Sequence, residues 1–244
     1  MKRTLAIGDI HGGLKGLNQA MERAHVTEND TLIFLGDYVD GWSDAAEVIE
    51  QMIALSHQQD CHFIFGNHDA YCFDWLTKGV VSTVWLNHGG RETMKSYNAF
   101  IKDETQIQMH IAFFKKMENY YVDEQNRLFI HAGYSTIEGP EKEHYASNYG
   151  WDRTLWETAM ASHGNCEKGD PNFPQRLSLF KEIIIGHTPT TNWNVEYPWK
   201  QVNVWNVDTG AAFKGRLSIL DIDTGEYWQS DPVHELYPHE KGRN

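Results

Sequence analysis

Short apolar runs that stop at a glycine followed by Asp, Asn or His recur along the chain. Thr4–Ile7 runs into Gly8-Asp9, Thr31–Leu35 into Gly36-Asp37, and Phe63–Phe65 into Gly66-Asn67. Runs this short and this apolar predict buried strands closed by turns. Between them Leu14, Leu17, Met21 and Ala24 recur at helical spacing, and so do Ala46, Val48, Ile49, Met52, Ile53 and Leu55. Ser43 is placed to cap the second helix, with Asp44 and Glu47 in its first turn, where the helix dipole favours anions. Strand–helix–strand–helix–strand with short links predicts a parallel sheet with right-handed crossovers. Ligands bind such sheets at the carboxyl ends of the strands, where all three glycine turns fall.

The pattern then changes. Residues 70–120 are rich in aromatics and lack strand runs, predicting helices at Tyr71–Thr77, Arg91–Phe100 and Thr105–Met117. This reads as a helical insertion forming one wall of a pocket. Alternation returns with Leu128–Ile130 before His131-Ala132-Gly133, and Ile183–Ile185 before Gly186-His187-Thr188-Pro189. Residues 139–179 form a long polar connection with a helix near Leu155–Ala161. Strands are predicted at Val202–Val207 and Leu217–Ile222, and a turn at Asp223-Thr224-Gly225 leads to a last strand. The organisation is a single α/β domain over residues 1–229, with a polar tail over 230–244 expected to be poorly ordered.

Composition narrows the function. Acidic residues outnumber basic ones 34 to 21, a formal charge of −13, which disfavours grip on duplex nucleic acid or an anionic membrane surface. No apolar stretch is long enough to span a bilayer and no signal-peptide core follows Met1, so a cytoplasmic protein is expected. Cys61, Cys72 and Cys166 form no C-x-x-C pair and read as buried thiols in a reducing compartment. Thirteen histidines beside three cysteines point to a metal site of nitrogen and oxygen donors rather than thiolates.

Five strand ends carry such donors: Asp9 with His11, Asp37, Asn67, His131 and His187. A single Asp after a strand usually closes a turn, and a single His is usually structural. Their joint placement on one edge favours a metal site, and the mixed donor set suits Mn²⁺, Fe or Zn²⁺ better than Ca²⁺.

Gly8-Asp9-Ile10-His11-Gly12, Gly36-Asp37-Tyr38-Val39-Asp40, Gly66-Asn67-His68-Asp69, His131-Ala132-Gly133 and Gly186-His187-Thr188-Pro189 resemble, in order and spacing, the calcineurin-like metallophosphoesterases. The likeness is to the protein serine/threonine phosphatase type, including the bacteriophage lambda phosphatase and symmetrical diadenosine tetraphosphate hydrolases. It takes in Trp85-Leu86-Asn87-His88-Gly89-Gly90, Trp151-Asp152-Arg153 and Asp208-Thr209-Gly210-Ala211, and covers roughly residues 3–222. It implies a four-layer α/β/β/α sandwich and two divalent ions, Mn²⁺ first among them. One ion is implied on Asp9, His11 and Asp37. The other is implied on Asp37, Asn67, His131 and His187. The implied reaction is in-line attack of a metal-bridging hydroxide on phosphorus. His68 is the implied general acid, held by Asp40, with Asn67, His68 and Arg153 on the substrate phosphate. Asp69 is implied to be structural.

The resemblance breaks after Asp40, where Gly41-Trp42 replaces the usual Arg-Gly and removes one phosphate-binding cation. Arg91 is the expected replacement. A hydrolase of phosphomonoesters, on phosphoprotein or small molecule, is the leading expectation. A phosphodiesterase or dinucleoside-polyphosphate hydrolase is the alternative, and a noncatalytic phosphate-binding scaffold a remote one. Trp42 is expected to pack on Trp75 or another insertion aromatic, or else to stack on substrate. His88 and Tyr134 are further candidates for the pocket.

Overall fold

The computed structural model describes residues 2–243; Met1 and Asn244, which end the expected domain and tail, lie outside them. The first half runs β1 (Thr4–Ile7), α1 (Leu14–Arg23), β2 (Thr31–Phe34), α2 (Ala45–Ser56) and β3 (Cys61–Phe63). The insertion follows as α3 (Asn67–Lys78), the single turn α4 (Thr83–Trp85), α5 (Arg91–Phe100) and α6 (Glu104–Phe114). The second half runs β4 (Tyr120–Val122), β5 (Arg127–Ile130), α7 (Asn148–Trp151), α8 (Thr154–Ser162), α9 (Gln175–Ser178) and β6 (Glu182–Ile185). It ends with β7 (Trp199–Gln201), β8 (Val204–Asn206), β9 (Ser218–Asp221), β10 (Tyr227–Gln229) and α10 (Val233–Leu236).

Two five-stranded sheets result, in the orders β10-β9-β1-β2-β3 and β4-β5-β6-β8-β7. β1, β2 and β3 are parallel, as are β5, β6 and β8, while β4, β7, β9 and β10 pair antiparallel to their neighbours. Side chains alternate across each sheet. Leu5, Ile7, Leu32 and Phe34 face α1, α2 and the insertion. Ala6, Ile33, Phe129 and Ile184 meet between the sheets. Leu128, Ile130, Ile183 and Ile185 pack against the side holding α8 and α9. Burial on both faces explains why these strands read as continuous apolar runs. The layers are α/β/β/α. Arg127 of β5 bridges the sheets, pairing with Asp123 and with Asp223 in the β9–β10 turn.

Several elements depart from the sequence pattern. Val202–Val207 is not one strand: Val202 sits at φ +47°, and the backbone turns there between β7 and β8. β4 and β7 are three residues each, too short to register as periodic runs. Ser43 does not cap α2; its N–H and hydroxyl donate to Glu240. Only Cys72 of the three cysteines is fully buried.

The tail folds back on the body instead of hanging loose. Val233 and Tyr237 are buried, the Tyr237 hydroxyl donates to Asp44, and Lys15 N–H donates to Tyr237. Trp42 packs on this tail and not on Trp75. Its ring stacks on Tyr237 with centroids 5.3 Å apart, and its Nε1–H donates to Ala211 O at 2.8 Å. It is completely buried, so it has no face for substrate.

Candidate active site

The turns after β1, β2, β3, β5 and β6 bring Asp9, His11, Asp37, Asn67, His131 and His187 into one buried cluster, each 8% exposed or less. The backbone there is strained: His11, Asp37, Asp40 and His187 have φ of +52°, +53°, +69° and +67°. Non-glycine residues in this region cost roughly 1–3 kcal/mol each and persist where the surroundings enforce them. Close approach sets the flanking sequence too. A Cβ on Gly66 would lie 2.2 Å from Asp37 Oδ1, so only glycine lets the β3 turn approach Asp37.

Buried hydrogen bonds aim each donor. Asp69 accepts the backbone N–H groups of Asp37, Tyr38 and Gly66 at 2.8–2.9 Å, locking the turns after β2 and β3 together. The His11 ring lies with Nδ1 2.7 Å from Asp40 O, and His131 with Nδ1 2.7 Å from Leu35 O. Carbonyls only accept, so both Nδ1 atoms carry a hydrogen, and each ring in its neutral form turns an Nε2 lone pair toward the cluster. His11 Nε2 then faces Asp37 at 3.6 Å and Asp9 at 3.8 Å. His131 Nε2 faces Asp37 at 3.4 Å and Asn67 Oδ1 at 3.2 Å. His187 Nδ1 is 2.9 Å from Asn67 Oδ1, and its Nε2 is buried without a hydrogen-bond partner. The Asp37 carboxylate lies between the two groups.

The electrostatics call for cations. Burial and the Asp208 charge push the Asp9 carboxyl well above its ordinary range. Burial also works against Asp37, but neighbouring His131 and His68 hold its carboxyl well below the usual value. Burial opposes a charged His131, yet Asp37 and Asp9 raise it to about 10. Burial drives His11 and His187 well down, to the neutral form a ligand needs. Clustered carboxylates, the neutral His11 and His187 rings and the orphaned His187 nitrogen fit divalent cations. Two sets have ligand atoms mutually within 4.8 Å: Asp37 with His131 and His187, and Asp37 with His11 and His68.

His68 is the next residue along α3 from Asn67. Its Nδ1 is 2.7 Å from Asp40 Oδ2, and its ring lines the cavity. Trp85 Nε1–H and the Thr93 hydroxyl also donate to Asp40, at 2.7 and 2.6 Å. Burial pushes Asp40 up and His68 down to about 3, while the Thr93 and Trp85 bonds favour the Asp40 carboxylate. The insertion therefore supplies the frame of this pair. The run from Trp85 to Gly90 signals it, but Thr93 carries no sequence signal.

A cavity of about 250 Å³ opens above the cluster, with Asp37, Asn67, His68 and His187 on its floor. Arg153, His88, Tyr71 and Trp151 form its walls together with Arg243. Tyr71 and Trp151 meet edge to face at 6.1 Å, and Trp151 also meets His187 at 6.1 Å. Arg91 starts α5 at the surface and is not among the cavity's lining residues. Tyr134 is buried, donating to Arg176 O, and is likewise outside the lining. Sequence reasoning missed Arg243, which lies 232 residues from its contact His11 and in a tail expected to be loose.

Donors of this kind beside an arginine-lined cavity define a class: hydrolases that use bound cations to work on phosphate esters. Residues 2–208 match the calcineurin-like phosphoesterase family, and the chain belongs to it. It is thus a hydrolase acting on phosphoester bonds. The chain is similar to the symmetrical bis(5'-nucleosyl)-tetraphosphatase of Pseudomonas entomophila, 22% identical over 99% of this chain and 98% of the relative. It is 26% identical to the asymmetrical bis(5'-nucleosyl)-tetraphosphatase PrpE of Bacillus thuringiensis, over 88% of each. A serine/threonine phosphatase structure from Saccharomyces cerevisiae shares the fold, with TM-score 0.61, 12% identity and coverage of 94% and 80%. A cold-active protein tyrosine phosphatase shares it at TM-score 0.58 and 15% identity, covering 96% and 80%. Among the described residues no helix is long and apolar enough to cross a membrane.

Proposed function

We propose that this chain hydrolyses dinucleoside polyphosphates, cleaving a P–O–P bond of the polyphosphate with the help of two divalent cations, Mn²⁺ first among them. The observation that carries the reading is the aromatic mouth of the site: Trp151, 43% exposed, stands with Tyr71 beside the cavity floor. Exposed rings at a phosphate site offer a nucleobase a stacking face. Likeness to two kinds of bis(5'-nucleosyl)-tetraphosphatase over most of their length supports the same substrate class. The cavity is too small for a whole dinucleotide, so the reacting phosphates would occupy it and the nucleosides would lie across its rim.

Asp9, His11 and Asp37 would hold one cation, and Asp37, Asn67, His131 and His187 the other. Such a pair, when bound, supplies charge for the phosphate oxygens and lowers the pKa of water toward ~7. His68 would protonate the leaving oxygen from Nε2, because Nδ1 is engaged by Asp40. An ionised Asp40, accepting from Trp85 and Thr93, would stabilise the protonated ring. Arg153 would bind the substrate phosphate, with Asn67 and His68 contacting the reacting group. A second reading, phosphomonoester hydrolysis, is favoured by the small size of the cavity.

Turnover of diadenosine tetraphosphate, p-nitrophenyl phosphate and bis-p-nitrophenyl phosphate with Mn²⁺ tests the choice. The proposal expects the highest kcat/KM on the tetraphosphate. A clear preference for p-nitrophenyl phosphate would replace it with the monoester reading.

A further inference from the structure

We propose that Arg243, carried in by the C-terminal segment, is the second cation that binds the substrate phosphate, opposite Arg153. The inference rests on the phosphate-ester reading of the site but not on which ester is cut. Arg243 lines the same cavity as Arg153 and His68. Its guanidinium reaches to 3.5 Å from His11 Nε2 and lies over the Phe213 ring at 5.3 Å. Its Nε is buried with no hydrogen-bond partner, and Arg243 forms no ion pair among the described residues. A half-buried guanidinium whose Nε has no partner, at the mouth of a phosphate site, is matched to an anionic oxygen.

The rest of the segment is built to hold it there. Arg243 N–H donates to Ala212 O at 2.9 Å, one residue from the carbonyl that accepts Trp42 Nε1–H. Gly242 lies against the Trp42 ring so closely that a Cβ would come within 2.6 Å of it. Tyr237 stacks on that same ring, and Glu240 accepts two hydrogen bonds from Ser43. The segment therefore docks onto the Gly41–Asp44 turn that follows Asp40. Position 41 completes the fit. Gly41 has φ +142°, which disfavours any side chain, and a Cβ there would lie 3.0 Å from His11 O, with the Arg243 Cγ beside it at 3.6 Å. The arginine stem runs alongside position 41, within contact distance of where a side chain there would begin. The turn lacks a cation of its own, and the tail brings one to the same place.

The test compares wild type, Arg243→Ala and Arg243→Lys, each with Mn²⁺. The probe is inorganic phosphate, titrated by calorimetry, followed by steady-state hydrolysis. Losing one such donor at a phosphoryl centre typically lowers the rate ~10²–10³-fold. Arg243→Ala should weaken phosphate binding at least tenfold and lower kcat/KM by that order, with Mn²⁺ affinity unchanged. Arg243→Lys should recover part of both. Phosphate binding equal to wild type in Arg243→Ala, with Mn²⁺ still bound, would overturn the proposal. So would tighter Mn²⁺ binding and faster turnover in Arg243→Ala, since the guanidinium would then be competing with the cations. If wild type fails to cut diadenosine tetraphosphate yet binds phosphate through Arg243, the substrate assignment falls and this proposal stands.

Discussion

Asp40→Asn isolates the acid side of the proposed chemistry. Three donors converge on the carboxylate: His68 Nδ1–H, Trp85 Nε1–H and the Thr93 hydroxyl. An asparagine serves two of them if its carbonyl takes the place of Oδ2, where His68 and Trp85 meet. Its NH₂ then faces Thr93, whose Oγ1 already accepts Asp40 N–H. The hydroxyl hydrogen loses its acceptor, at a cost of about 1–3 kcal/mol. Removing a buried negative charge offsets part of that. The melting temperature should therefore drop by no more than ~12 °C, taking ~2–4 °C per kcal/mol for a chain of this size. Activity should suffer far more, because a neutral amide no longer stabilises a protonated His68. Loss of a positioned general acid typically costs ~10²–10⁴-fold. That loss should appear on phenyl phosphate, whose leaving group needs a proton, and much less on p-nitrophenyl phosphate, whose leaving group does not. Steady-state kcat on the two esters, beside a thermal melt of the same sample, reads both effects. Equal slowing of the two esters would refute the acid role.

Other perturbations have defined outcomes. Trp42→Ala removes the ring joining the post-Asp40 turn to the tail, and should cost ~3–5 kcal/mol in urea unfolding; a change under ~1 kcal/mol would show that the tail docks without it. Glu143 accepts from Ser135, Tyr145 and Asn148, and these bonds, against burial, lower its pKa from 4.5 to about 2. Its stabilising effect is then complete above ~4.5 and lost as pH falls toward ~2, so Glu143→Gln should lower the melting temperature at pH 7 and match wild type near pH 2. Arg91→Ala should leave phosphate binding and kcat/KM within about twofold, since Arg91 is absent from the cavity lining; a tenfold loss would place it in substrate binding after all.

The inner strands and the six clustered donors were legible because each inner strand is buried on both faces, whereas the pairing of two sheets came only from the family resemblance. Such a strand leaves an uninterrupted apolar run, and each run ends at the same edge. α5 was legible at its full length because its buried positions keep helical spacing. The short edge strands were not legible, since three residues carry too little pattern. The tail misled because its polar composition hides two buried hydrophobic residues, Val233 and Tyr237; the partners of Tyr237 on α1 and the Gly41–Asp44 turn are some 200 positions away. Arg243 was invisible for the same reason. An isolated arginine gains meaning only when a distant loop is known to face it, and Gly41 announced the missing cation without saying where its replacement lay.

Anomalous diffraction from crystals soaked in Mn²⁺ tests the central claim most directly. The account expects two Mn²⁺ peaks per chain flanking the Asp37 carboxylate, roughly 3.5–4 Å apart, one beside Asp9 and His11 and the other beside Asn67, His131 and His187. A single peak, or peaks away from Asp37 at full Mn²⁺ occupancy, would contradict it.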